Sequence, residues 1–184
     1  PNELILDFDA TDDRVHGQQE GRFYKGYYRD YCFLPLYVFC GQQLLVAYLR
    51  PSNQDAAKHA WAILKLLSQR LREAWPHVSI VLRADSGFCR WKMLRWCDKH
   101  DVRYVVGLAR NSRLAELAGD LILQAESDYE KSGEKQRIFS ETQYAAGTWD
   151  RERRVIVKAE HGPLGSNPRY VVTNLDTPAQ ELYD

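Results

Sequence analysis

Asp9 and Asp85 are the residues whose type and setting could do chemistry. Each closes an apolar climb: Leu4-Ile-Leu-Asp7-Phe-Asp9-Ala-Thr11 in one case, Val78 to Leu82 and then Arg83-Ala-Asp85-Ser-Gly-Phe88 in the other. An apolar run that rises to a carboxylate and breaks at Ser-Gly reads as a buried strand delivering that carboxylate to its C-terminal end. Ligand sites of α/β sheets gather at such ends. Two carboxylates with no Cys/His cluster competing suit a hard divalent ion, Mg²⁺ with Mn²⁺ as a substitute, held through oxygen and water. Two such ions about 3.5–4 Å apart activate a nucleophile and stabilise a leaving oxygen in phosphoryl transfer, the chemistry of nucleases and polynucleotidyl transferases. A lone Asp at a strand end more often caps the next turn; it is the pair, on strands expected to be neighbours, that favours a shared site.

The surrounding residues have plainer roles. Asp7 lies on the face of Asp9, about 6.6 Å back along the strand, as a supporting acid. Arg83 shares the face of Asp85 and is expected to orient it through a salt bridge. Residues 83–113 hold eight Lys or Arg against three Asp. Lys92, Arg95 and Lys99 fall on one narrow helical face, a candidate for phosphate contact or simply a solvated face. Trp149 stands among Arg151, Arg153, Arg154 and Lys158. A Trp among arginines can stack an unpaired base; packing into a small core is the blander use.

The elements that must position these residues follow from patterning. Strands are expected at 4–9, 33–40 and 43–50, with 10–30 as a polar, Gly-containing loop. Three strands with no intervening helix imply an antiparallel meander. A helix opened by Pro51-Ser-Asn-Gln-Asp, capped by Ser52 or Asn53 and carrying Ala57, Trp61, Leu64, Leu67 and Leu71, runs to Pro76. The Asp85 strand, a helix at 89–100 and a strand at 102–108 complete a mixed sheet, three strands antiparallel and two parallel, flanked by helices. The helix before the Asp85 strand permits a right-handed crossover that lays this strand parallel beside the first. A polar helix with Leu114, Leu117, Leu121 and Ala125, then weakly alternating segments at 136–144, 152–159 and 169–174, reads as a β-rich insertion.

The whole chain sets bounds. Its 184 residues suit one domain, or one with a large insertion. Equal numbers of acidic and basic residues, 25 each, argue against a strongly basic binder of nucleic acid, local patches aside. No run approaches the roughly 18 apolar residues of a membrane span, and no signal peptide is visible. Four Cys without CxxC spacing fit buried thiols in a reducing cytosol. The beginning without Met and the abrupt end at Glu-Leu-Tyr-Asp184 suggest a piece of something longer.

Asp9-Ala-Thr11, the loop with His16-Gly-Gln-Gln19 and above all Arg83-Ala-Asp-Ser-Gly-Phe88 resemble bacterial insertion-sequence transposases of the DDE class. The resemblance covers essentially the whole chain. It implies a ribonuclease H-like core over 1–111, a helix plus β-rich insertion over 112–175, and the start of a return to the core over 176–184. It implies Asp9 and Asp85 as the first two catalytic metal ligands. The third would be a Glu in a Tyr-x-x-Arg-x-x-x-Glu helix, and Glu181-Leu-Tyr183 looks like the approach to it rather than the ligand. The implied reaction is Mg²⁺-dependent strand cleavage at element ends, then attack of the freed 3′-hydroxyl on target DNA, by paired protomers in the bacterial cytoplasm at the nucleoid. A piece with two of three ligands is expected to be inactive alone.

Two alternatives stay open. A degenerate element would leave a domain that only binds DNA or dimerises. Asp7-Phe-Asp9-Ala-Thr11 also fits the Asp-x-Asp-x-Thr signature of haloacid dehalogenase-like phosphatases, with Asp7 as nucleophile and Asp9 as general acid. Those proteins run from strand to helix, whereas a hairpin is expected here.

Overall fold

The computed structural model describes residues 1–183; Asp184, the last residue of the expected return to the core, lies outside the described residues. The chain forms two compact units, Pro1–Arg103 and Tyr104–Asp184. This division falls inside the strand at 102–108, earlier than the boundary expected after residue 111.

In the first unit, strand β1 (Glu3–Ala10) buries Leu6 and Phe8 while Asp9 stays exposed, the alternation a one-sided strand requires. Three short strands follow, β2 (Asp13–Arg14), β3 (Phe23–Lys25) and β4 (Asp30–Phe33), joined as a separate antiparallel sheet in the order β2-β4-β3. The loop expected over residues 10–30 is therefore a small sheet. Strands of two to four residues are too short to show a period. Next come β5 (Leu36–Cys40) and β6 (Gln43–Tyr48). Leu34-Pro35 interrupts the single strand expected at 33–40, since proline cannot donate to a ladder.

Helix α1 covers Ala60–Ala74, not the stretch from residue 52. Ser52, one of the two expected caps, works elsewhere, and so does the nearby Asp55. Ser52 is buried and donates from its hydroxyl to the Phe23 carbonyl (2.8 Å), and Asp55 accepts from the Ala57 N–H (2.8 Å). The physical reason is Arg50, 1% exposed. It donates to the carbonyls of Leu34 (2.9 Å), Ala56 (2.9 Å) and Lys58 (2.7 Å). A guanidinium that gathers those carbonyls holds residues 51–59 as a wrapped loop, because carbonyls turned toward it are not aligned along a helix axis.

Strand β7 (Ser79–Ala84) buries Ile80, Val81 and Leu82. A 3₁₀ turn at Ser86–Phe88 leads to helix α2 (Trp91–Lys99), which turns Met93, Leu94 and Cys97 inward. The unit's sheet is mixed: β1 pairs with β7 in parallel and with β5 antiparallel, and β5 pairs antiparallel with β6. The expected meander and crossover are both present. Strand β8 (Val102–Leu108) carries the chain into the second unit.

There the expected single helix is two. Helix α3 (Ser112–Leu117) is capped by Asn111, whose side-chain oxygen accepts from the Leu114 N–H (3.0 Å), and α4 (Gly119–Ser132) ends at Gly133 with φ 70°. Strands β9 (Gln136–Tyr144), β10 (Arg153–Gly162), β11 (Gly165–Ser166) and β12 (Arg169–Thr173) follow. Strand β10 pairs antiparallel with β9, β11 and β12, and β12 pairs with β8 through Tyr170↔Leu108 to Thr173↔Val105. Val155, Ile156, Val157, Ala159 and Val172 fill its core. Among the described residues no helix is long and apolar enough to cross a membrane.

Glu160 on β10 is a charge clamp. It meets Lys135 at 3.0 Å, Arg137 at 3.2 Å and Lys158 at 3.4 Å. The Lys135 hydrogen bond above all, with Lys158, outweighs desolvation and holds its carboxyl below the ordinary 4.5. A carboxyl depressed by folding adds stability above its unfolded pKa and loses it as pH falls through the folded value. Thermal melts from pH 7 to pH 3 should therefore show wild type ahead of Glu160→Gln at neutral pH, with the gap closing below about pH 4.5. A gap that stays constant with pH would contradict the clamp.

Candidate active site

The parallel register decides the site. Leu6 lies opposite Leu82, Asp7 opposite Arg83, and Phe8 opposite Ala84. The pairing ends there: Asp9 is the next residue of β1, and Asp85 is the first residue after β7, where the 3₁₀ turn begins. Both are exposed. On its other side Asp9 is paired with Tyr37 of β5, which places that ring on the same face of the sheet. Strand alternation carries this signal, but sequence reasoning did not pick out Tyr37.

Asp85 is held by the turn it begins. Its Oδ1 accepts from the Gly87 N–H (2.7 Å), leaving the second oxygen open. Phe88, fully buried, sets its ring edge-on to Phe8 at 6.2 Å. The residue before Asp9 is thus clamped to the turn after Asp85. The wrapped loop supports the same turn: Asp55 pairs with Arg90 at 2.5 Å. Burial works to raise the Asp55 carboxyl, but the Arg90 hydrogen bond, the Ala57 N–H and the Arg90 charge together hold it below the ordinary range.

Arg83 corrects one expectation. It does not orient Asp85; it grips Asp7 across the β1–β7 pair, Nε to Oδ1 and Nη2 to Oδ2 (2.8 Å). Arg83 faces both acids by alternation, and the register sets it directly opposite Asp7. The Asp7 hydrogen bond raises the guanidinium pKa. Asp7 has both oxygens in this bidentate pair, which is the wrong state for the nucleophile a haloacid dehalogenase-like phosphatase would need.

The Gly87 position is tight. A Cβ there would fall 2.9 Å from Asp85 Oδ1 and 3.5 Å from the Ala56 Cβ. Gly87→Ala is expected to turn the Asp85 carboxylate off its bond, at a stability loss of about 1 kcal/mol. Paired urea melts check this, and an unchanged stability would remove Gly87 from the architecture of the turn.

The candidate DNA contacts divide. Lys92, Arg95 and Lys99 are exposed on α2. In the second unit Arg151 is exposed, Trp149 is half-buried edge-on to Tyr144, and the Arg153 side chain is 1% exposed, pairs with Asp150 (3.0 Å) and lies over Trp149. Among the described residues no group of three or more His, Cys, Asp or Glu is placed to hold a metal ion.

The piggyBac transposase, solved by cryo-EM as a synaptic complex with hairpin DNA, has the fold of this chain: the TM-score is 0.52 over 95% of the present chain, at 13% identity. The chain spans about a third of that transposase, 34% of its length. No curated protein matches the chain. Residues 1–184 match the family described as transposase DDE domain group 1, and the chain belongs to that family.

Proposed function

We propose that this chain carries the catalytic core of a DDE transposase, in which Asp9 and Asp85 hold divalent metal, Mg²⁺ or Mn²⁺, for DNA strand cleavage and strand transfer. The observation that supports the proposal is the parallel β1–β7 pairing, which ends one residue before each acid. The donor set fits a hard cation: carboxylate oxygens, exposed, one of them with an oxygen outside its capping bond. Two carboxylates are a thin cage, so water, phosphate oxygens or a further acid complete the coordination.

A divalent cation bound there would favour deprotonation of the attacking water or 3′-hydroxyl and neutralise charge on the phosphate. The chain's own part is positional. The β1–β7 pairing fixes the spacing of the acids, the Gly87 N–H fixes the rotamer of Asp85, and the Arg83–Asp7 pair provides a rigid, neutralised floor one step below them. Exposure of both acids lets a duplex backbone approach. Lys92, Arg95, Lys99 and Arg151 are the cations proposed for phosphate contact. Arg153 and Trp149 serve packing, because a buried guanidinium cannot reach a phosphate. Paired protomers acting on two element ends, in the cytoplasm of a bacterial cell, complete the proposal.

The test is cleavage of supercoiled plasmid bearing the element's ends, with Mg²⁺, with Mn²⁺ and with EDTA. Cleavage that persists in EDTA would end the metal assignment.

A further inference from the structure

We propose that the outer face of the small sheet, formed by Arg22, Tyr24 and Tyr31 with Tyr27 at its tip, is a stacking platform for unpaired bases of single-stranded DNA. The inference rests on the DNA-cleaving function proposed above and names a substrate contact for it.

The ten residues from Arg22 to Tyr31 contain five aromatics, three basic residues and one acid. The register Tyr24↔Tyr31 puts those two rings on one face, where they meet edge-on at 5.6 Å. The Arg22 guanidinium lies 4.6 Å over the Tyr31 ring. At the tip Tyr27 meets Tyr28 edge-on at 4.9 Å. These rings face solvent: Tyr24 is 57%, Tyr27 86% and Tyr31 46% exposed.

The opposite face of the hairpin is anchored, so the outer face is left open by construction. Lys25 donates to the carbonyls of Ser52 (3.0 Å) and Gln54 (3.2 Å), Ser52 donates to the Phe23 carbonyl, and Cys32 is buried. Asp30, the acid of the hairpin, faces Arg14 at 3.9 Å, as does Asp12 before β2 at 3.4 Å, while Asp13 beside them is exposed. Arg29 is exposed at the tip with φ 55°. Exposed aromatic faces interleaved with cations complement the bases and phosphates of a single strand.

The platform is joined to the acids. Strand β2 begins at Asp13, shortly after β1 ends at Ala10. Burial above all, then Asp12, Tyr27, Cys32 and Asp9, raise the Tyr28 phenol above its ordinary value.

The probe is a twelve-residue oligothymidine carrying one 2-aminopurine, compared with its duplex, titrated with the chain in EDTA. The single strand should bind more tightly than the duplex, with the 2-aminopurine fluorescence quenched by stacking. Tyr24→Ala, Tyr27→Ala and Tyr31→Ala should each weaken binding about tenfold and reduce the quench. The Phe variants should retain both, since the ring and not the hydroxyl stacks. Circular dichroism would confirm that the variants fold. Alanine variants that bind and quench like wild type would overturn the proposal. So would alanine variants that change only self-association in sedimentation, which would make the face a protein contact. Because EDTA removes metal, loss of oligonucleotide binding in the tyrosine variants beside normal cleavage by Asp9→Asn would sink the acid site alone. Normal binding by the tyrosine variants beside an inactive Asp9→Asn would sink the platform alone.

Discussion

Asp9→Asn and Asp85→Asn are each expected to abolish metal-dependent strand cleavage in the protein as the cell makes it. Asparagine keeps the size of the side chain and removes the charge a hard cation needs. Metal supplies several kcal/mol of transition-state stabilisation, so the loss should reach about 10³-fold or more. The double variant should be no worse than either single one, because the proposal has both acids hold metal at one site. Both positions are exposed, so urea melts should move by less than about 0.5 kcal/mol and DNA binding should persist. Asp7→Asn is the informative contrast. It loosens an exposed Arg83 pair, worth at most about 1 kcal/mol, without removing a ligand. Cleavage at the normal rate by Asp9→Asn or Asp85→Asn would refute the assignment.

Phe88→Ala should cause the largest loss of stability. The ring is fully buried and packs edge-on against Phe8, itself 3% exposed. Truncating a buried Phe to Ala costs about 3–5 kcal/mol, combining lost transfer energy with the void left behind. Against a total of roughly 5–15 kcal/mol that is a severe change. Phe88→Leu leaves a smaller void and should lose roughly half as much. Urea denaturation of the chain measures both. Because the ring ties the residue before Asp9 to the turn after Asp85, cleavage should fall further than the folded fraction does. A loss under about 1 kcal/mol would mean that the two aromatic rings do not hold the strand ends together.

Much of this arrangement was legible from residue order. The alternation of Leu6, Asp7, Phe8 and Asp9, the apolar run before Arg83, and the helix between them dictated a parallel pair with the acids at one end, and β1 and β7 form that pair. Strand β8 and strand β9 occupy their expected ranges. What stayed hidden depended on long-range partners. Arg83 had two acids on its face, and only the register selects Asp7. Ser52 and Asp55 carry good capping chemistry, but Arg50 draws the intervening carbonyls to itself and the helix starts later. The tyrosines of β3 and β4 were overlooked because the segment has too few residues per strand for a period, although its mixture of aromatic and basic residues was visible.

The parallel pairing also bears on synthesis. Asp7 and Arg83 are ion-paired at a separation of 76 residues, and the two candidate ligands lie the same distance apart along the chain. A ribosome making about 5–20 residues per second therefore releases the first acid several seconds before the second can dock beside it. During that interval the nascent chain has β1, β5 and β6 available to pair, but not the strand that leads to Asp85. Sheet contacts of such long range also form late in refolding. The fold therefore delays assembly of the proposed site until most of the first unit has emerged and assembled.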